Sequence, residues 1–291
     1  MKAIIANLFD NLVNILQKKP WGRTLLCKLV GIISRNSVSS KPSLEYRHGY
    51  WFRKCNGIWI SIGRHLRIRP SAIRSWDRAH DDELEMRRGW WFRSYSPQAG
   101  DFIVDVGAGM GEDAFVYSMA VGESGSVLAI EAYPATFKAL SLFVELNGIT
   151  NVGLENLAVS DTGGELWMSA LPDDDWQCNS IVPHENPGSD IRVTAMRLDD
   201  MPMIVRHRVI DFMKINIEGA EVLALDGANE ALTKTKNICV CCHDFLGSRT
   251  QTKDRVCAIL DKAGFILSFT SPDVPPYERD FVYGTKRDES L

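Results

Sequence analysis

Apolar residues Ile4, Ile5, Leu8, Phe9, Leu12, Val13, Ile15 and Leu16 recur at helical spacing and predict a helix over 3–17. Lys18, Lys19, Pro20 and Gly22 close it, and a second apolar stretch runs from Leu25 to Ile33 with Lys28 inside it. Residues 34–43 read as a linker by composition. Asn56-Gly57 then stands between two runs of aromatic and β-branched residues, a strong short-range hairpin signal. Residues 81–95 predict a helix with acids early and arginines late, the order that complements the helix dipole.

After residue 100 the pattern changes to short apolar runs alternating with helix-length periodic segments. Strands are predicted at 102–106, 126–131, 152–158, 209–215, 237–242, 265–270 and 280–284, and helices at 112–121, 134–147, 219–232 and 250–263. Pro134 suits a first helical turn, and Gly148 and Gly264 suit helix ends. The alternation predicts an α/β fold with a mostly parallel sheet and helices on both faces. The last two strands have no helix between them and predict an antiparallel hairpin at the sheet's edge. The chain thus divides into an amphipathic helical segment and linker (1–43), a hairpin-and-helix extension (44–100) and an α/β domain (101–291).

Composition agrees with a globular protein: 45% hydrophobic and 24% charged residues, with no run of 18 apolar residues for a membrane span. The net charge of -4 hides an asymmetry. Residues 1–100 hold 18 Lys and Arg against 7 Asp and Glu, with six of the eight Trp; the remainder holds 15 against 30. The basic segment therefore meets an anionic partner or packs on its own acidic domain. Contact of residues 1–35 with a membrane surface stands beside helix packing, which the neutral polar face of 3–17 favours. The seven Cys, three of them between positions 239 and 242, do not suggest a disulfide framework. Their number, with no signal-peptide cleavage pattern, points to a cytoplasmic protein, with attachment to a membrane periphery left open.

The segment IVDVGAGMGEDAF carries the most chemistry. A strand ends at Asp105, and Gly107, Gly109 and Gly111 form a tight turn before a helix, the nucleotide position of an open α/β sheet. A dinucleotide loop wants a small residue where Glu112 stands, and Asp105 is wrongly signed beside a pyrophosphate. S-adenosylmethionine has no phosphate and carries a sulfonium and an ammonium, so these acids favour it. Glu131, at the end of the second strand, is placed to accept from the ribose diol, and Tyr133 follows it. Asn156, Leu157 and Ala158 end the third strand near the adenine position.

Together these residues resemble the FkbM family of S-adenosylmethionine-dependent methyltransferases over roughly residues 80–245. The resemblance lies in DVGAGMG with Gly109 in place of the usual Asn, in EAYP, in Ala158 to Asp161, and in KINIEGAE from Lys214 to Glu221 followed by Leu225 and Asp226-Gly227-Ala228. It implies a class I methyltransferase (Rossmann-like) sheet, an S-adenosylmethionine cofactor and, commonly, O-methylation of a hydroxyl on a sugar, glycan or natural product. Asn216 departs from the family's usual Asp, and a neutral amide cannot supply that charge.

Methyl transfer to a hydroxyl needs in-line alignment and a proton acceptor. The ends of the fourth and fifth strands supply Asn216, Glu218, His243 and Asp244 as catalytic candidates. His243 is the preferred base, with an ordinary pKa of about 6.5. Asp244 or Glu218 is expected to orient it or to meet substrate, and Glu218 alternatively caps the following helix. No metal site is assigned. A divalent cation held by Asn216, Glu218, His243 and Asp244 is the less favoured alternative, and a zinc site at Cys239, Cys241, Cys242 and His243 is disfavoured by strand alternation. The loop 171–190, with Trp176, Asn179 and His184, is expected on the acceptor side. Two other functions stay open: a non-catalytic S-adenosylmethionine-binding or membrane-associated scaffold, and a nucleic-acid methyltransferase, for which no Asn-Pro-Pro-Tyr-like turn follows the fourth strand. The acceptor and the oligomeric state are not legible.

Overall fold

The computed structural model describes residues 2–33, 43–68, 70–73, 75–169, 181–182, 190–246 and 251–286. The linker 34–42 and most of the loop 171–190, including Trp176, Asn179 and His184, lie outside the described residues. The chain forms two compact units, residues 1–86 with 142–148 and residues 87–141 with 149–291.

The first unit holds helices α1 (Lys2–Leu16) and α2 (Pro20–Ile33), then strands β1 (Ser43–Arg47), β2 (Tyr50–Cys55) and β3 (Ile58–Ser61), which form an antiparallel sheet in that order. Short α3 (Pro70–Ile73) follows, and the first turns of α4 (Trp76–Trp91) complete the unit. The hairpin turn falls at Asn56 and Gly57, both with positive φ (47° and 88°), as a type I′ turn requires. Val13, Leu16, Leu26, Val30, Leu44, Trp51 and Ile60 form its core. Helix α4 starts at Trp76 rather than near 81, and α2 starts at Pro20, because Pro is tolerated at a first helical position.

The second unit holds β4 (Phe102–Val106), α5 (Glu112–Val121), β5 (Ser126–Ile130), α6 (Pro134–Leu146) as far as Ser141, and β6 (Val152–Glu155). Next come β7 (Ala158–Val159), β8 (Gly164–Ser169), β9 (Ile181–Val182), β10 (Asp190–Met196), α7 (Pro202–Arg206) and β11 (Ile210–Ile215). Helices α8 (Glu221–Asp226) and α9 (Asn229–Lys234), strand β12 (Thr235–Cys241), helix α10 (Lys253–Lys262) and strands β13 (Phe265–Phe269) and β14 (Phe281–Lys286) complete it. The main sheet has the order β13-β14-β12-β11-β4-β5-β6. Only β14 runs antiparallel to its neighbours, which is the class I methyltransferase topology with its C-terminal edge hairpin.

Strand alternation sends side chains to two cores. Phe102, Val104, Val106, Met213 and Ile215 face one, beneath α8 and α10. Ile103 and Phe212 face the other, with Trp91, Tyr117 and Val121.

Two expectations are corrected. The predicted strand 152–158 splits, because Ala158 belongs to β7, paired with β10 in a second, four-stranded sheet. That sheet is not legible in the sequence; its strands are short and half exposed, and their polar outward positions read as loop. The predicted helix 219–232 breaks into α8 and α9 at Gly227, where a Cβ would collide with the Ser160 carbonyl.

Candidate active site

The chain leaves β4 toward β5 on one side and leaves β11 toward β12 on the other, so the switch point lies between β4 and β11. Ligand sites in open α/β sheets form at the carboxyl ends of strands at such points. The glycine loop follows β4, and Asn216 to Glu218 follow β11, at this crevice.

The loop's shape depends on its glycines. Gly107 has φ of 80°, and a Cβ there would collide with the Asn216 carbonyl oxygen. Gly111, with φ of 112°, starts α5. Gly109 donates its N–H to Oε2 of Glu131 at 3.0 Å, and Oε1 of the same carboxylate accepts from the Tyr133 N–H at 2.9 Å. Glu131 thus fastens the loop to the end of β5. Burial pushes its carboxyl up to about 7, against the lowering effect of those two N–H donors. Asn156 donates Nδ2 to the carbonyls of Glu131 and Ala132 at 2.8 and 3.2 Å. Ala158 is buried in β7, in one cluster with Met168 and Val193.

Asp105 occupies a different position from the one expected of it. It is fully buried beside Lys214, its register partner on the adjacent strand, and Lys214 Nζ donates to its Oδ1 at 2.9 Å. Its Oδ1 is therefore held by a cation inside the protein, while its Oδ2 is buried with no hydrogen-bond partner among the described residues. Lys214 Nζ also donates to the Gly107 carbonyl at 2.6 Å, lies 3.5 Å from Asp113 and sits over the Trp91 ring. Asp113 accepts from Arg87 at 2.7 Å and from Trp91 Nε1 at 2.8 Å. Burial alone would raise Asp113, but Arg87 and Lys214 hold it below the usual carboxylate range. Asp105 moves the other way, pushed up to about 6 because burial outweighs its attraction to Lys214. Burial opposes the charge on Lys214, and the two aspartates overcome that and raise its pKa. This buried ionic cluster braces the underside of the glycine loop.

On the other side of the crevice, His243 follows β12 and is buried. Its Nδ1 lies 2.7 Å from Oε1 of Glu221, and its Nε2 lies 3.4 Å from Oε1 of Glu218. A carboxylate can only accept, so Nδ1 carries the hydrogen. Burial works against the imidazolium, but the hydrogen bonds and charges of Glu218 and Glu221 outweigh it and push His243 up to about 9. Glu221 is itself held by the Gly219 N–H at 3.0 Å and by Thr252 Oγ1 at 3.1 Å. Glu218 adopts left-handed backbone (φ 54°), strained for a side chain of its kind, in the conformation that directs it to the histidine.

Asp244 does not orient His243. Its Oδ1 accepts from the Thr252 and Lys253 N–H groups at 2.7 and 3.2 Å, so it caps α10. Glu218 is not a helix cap either, since α8 begins at Glu221. Asn216 donates its backbone N–H to Val106, and its Oδ1 is buried with no hydrogen-bond partner among the described residues. Buried acceptors are rarely left so. No three His, Cys, Asp or Glu side chains converge as a metal-ligand set among the described residues. Cys239, Cys241 and Cys242 are free and buried, and burial pushes their thiols up.

Sequence reasoning missed Glu221, Lys214, Arg87, Trp91 and Asp113. Lys214 had a signal: a lysine in the apolar run of a central strand must be buried and therefore paired. Glu221 ends the KINIEGAE segment, but its meeting with His243 spans 22 residues and no local pattern records it.

No curated protein matches the sequence. Solved structures are similar at low identity, among them the following three. Aeropyrum pernix fibrillarin in complex with S-adenosyl-L-methionine is 11% identical, with 87% of this chain and 85% of that chain covered and a TM-score of 0.42. A putative rRNA-methylase from Clostridium thermocellum is 16% identical, with 77% and 99% covered and a TM-score of 0.41. A SAM-dependent O-methyltransferase from Thermotoga maritima is 15% identical, with 78% and 70% covered and a TM-score of 0.40. The methyltransferase FkbM domain matches residues 105–267, more than half of the chain and all of the crevice described above. With its sheet order, glycine loop and KINIEGAE segment, the chain belongs to the FkbM family of S-adenosylmethionine-dependent methyltransferases.

Proposed function

We propose that the protein methylates a hydroxyl oxygen on a sugar, glycan or natural-product acceptor, with residues 101–291 as the catalytic domain and His243 as general base. The observation that supports this is the double hold on His243, with Glu221 at Nδ1 and Glu218 at Nε2, beside the crevice at the ends of β11 and β12.

The residues of the crevice suit the cofactor. Gly107, Gly109 and Gly111 leave backbone uncovered by side chains, Glu131 offers further lone pairs to a diol, and Asn156 stands at the rim. The orphaned Asn216 Oδ1 asks for a hydrogen-bond donor, which an ammonium or a hydroxyl supplies. S-adenosylmethionine, when bound, supplies an electrophilic methyl group.

Glu221 holds Nδ1–H, which leaves Nε2 as the basic nitrogen. Nε2 would take the proton of the acceptor hydroxyl as that oxygen gained the methyl group and the methyl–sulfur bond broke, leaving S-adenosylhomocysteine. Glu218 and Glu221 then stabilise the imidazolium. The same carboxylates raise His243 to about 9, so the basic form is a minority at neutral pH and transfer quickens as pH rises toward that value.

The test has two parts. Calorimetric titration with S-adenosylmethionine, S-adenosylhomocysteine and NAD should give binding of the first two only, weakened by Glu131→Ala. Labelled-methyl transfer to a panel of hydroxyl acceptors should then proceed and be abolished by His243→Ala without loss of cofactor binding. Label appearing only on amines or nucleic-acid bases would refute the proposal, and cofactor binding without any transfer would favour a scaffold.

A further inference from the structure

Helix α2 is apolar on two adjacent faces, one buried and one exposed. Gly22, Leu26 and Val30 are buried against the first unit's core. Trp21, Leu25, Leu29 and Ile32 are 64%, 41%, 40% and 57% exposed. At about 100° per residue these four fall within roughly 80° of one another, a single stripe along the helix. Leu12 and Ile15 of α1 are also exposed, at 50% and 63%. An outward stripe of this size on a small helical hairpin marks an interaction surface.

Its charge surroundings choose the partner. Residues 11–44 contain six Lys and Arg and no Asp or Glu. Lys18, Lys19 and Lys28 are exposed, the first two beside Trp21 and the third along the stripe. Two copies of this face would bring the lysines together, which disfavours self-pairing. An anionic surface with an apolar interior matches both features. No helix among the described residues is long and apolar enough to cross a membrane. With 14 residues, α2 is only about 21 Å long, against a hydrocarbon core of about 30 Å.

We propose that the outer face of α2 docks in the plane of an anionic lipid bilayer. Trp21 sits at headgroup level, Leu25, Leu29 and Ile32 enter the acyl boundary, and the lysines extend to lipid phosphates. The stripe lies on residues 20–33, within the segment 1–35 that the sequence offered for membrane contact. The proposal is independent of the acceptor and of the catalytic residues.

The test is flotation of the full chain with vesicles of phosphatidylcholine alone or with added phosphatidylserine. Expected is binding to the anionic vesicles, at least about tenfold stronger than to the neutral ones and weakened by salt. Leu25→Glu with Leu29→Glu should abolish it with an unchanged thermal midpoint, since both positions are exposed. Lys18→Gln, Lys19→Gln and Lys28→Gln should each weaken it roughly fivefold. Absence of flotation, or flotation indifferent to the Leu25 and Leu29 changes, would overturn the proposal. So would a self-associated chain that those two changes convert to a monomer, because a second copy would then cover the stripe.

Discussion

Glu221 Oε1 lies 2.7 Å from Nδ1 of His243, in a pocket where both side chains are almost wholly removed from solvent. This pair joins the start of α8 to the end of β12, and it fixes which imidazole nitrogen faces Glu218. We expect Glu221→Gln to lower the His243 pKa from about 9 toward the ordinary value of about 6.5. NMR titration of the His243 ring reads this without an acceptor. A ring that still titrates near 9 would mean that Glu218 alone sets its charge.

The same pair makes stability depend on pH. His243 titrates near 9 when folded and near 6.5 when unfolded, so between these values the folded chain binds more protons. Its contribution is complete below about 6.5 and is lost as pH rises through about 9. Denaturation at a series of pH values should show stability falling across this window, by on the order of 1–3 kcal/mol. His243→Gln should flatten the slope there.

Transfer rate should move in the opposite direction. If Nε2 accepts the hydroxyl proton, kcat/KM rises with pH and levels near 9, reflecting the free enzyme's base. Removing the base with His243→Ala should cost about 10²–10⁴-fold. A rate independent of pH between 6.5 and 9 would exclude His243 from proton transfer.

Lys214 is buried with Asp105 and Asp113, and breaking one partner of a buried pair leaves an uncompensated charge. Lys214→Met should destabilise the protein by about 3–5 kcal/mol in chemical denaturation. Adding Asp105→Leu should recover part of that loss. Equal destabilisation in the single and double variants would show that Asp105 is already neutral in the folded protein.

Gly107→Ala should cost at least about 2 kcal/mol, because φ of 80° strains an L-residue and the new methyl meets the Asn216 carbonyl. Cofactor affinity should fall with it, measured by calorimetry, as the loop and the β11 end separate. Gly31→Ala, where a Cβ meets nothing within 4 Å, is the control.

By itself the sequence determined the elements and the family. Period-two and helical patterns placed β4, α5, β5 and α6 within a residue of their ends, because burial of a strand or a helix face is written locally in which positions are apolar. The Asn56-Gly57 turn and the glycine loop were legible for the same reason, since left-handed backbone narrows the residue choice at single positions. Tertiary structure decided how charges meet. The register of β4 on β11 set Asp105 against Lys214, 109 residues away, a pairing the sequence did not show. Asp244 or Glu218 was the expected partner for His243, and only the packing of α8 and α10 gave Glu221 to its Nδ1 and Asp244 to a helix end. Pairings of this kind depend on distances between strands and helices far apart in the chain, and no local pattern records them.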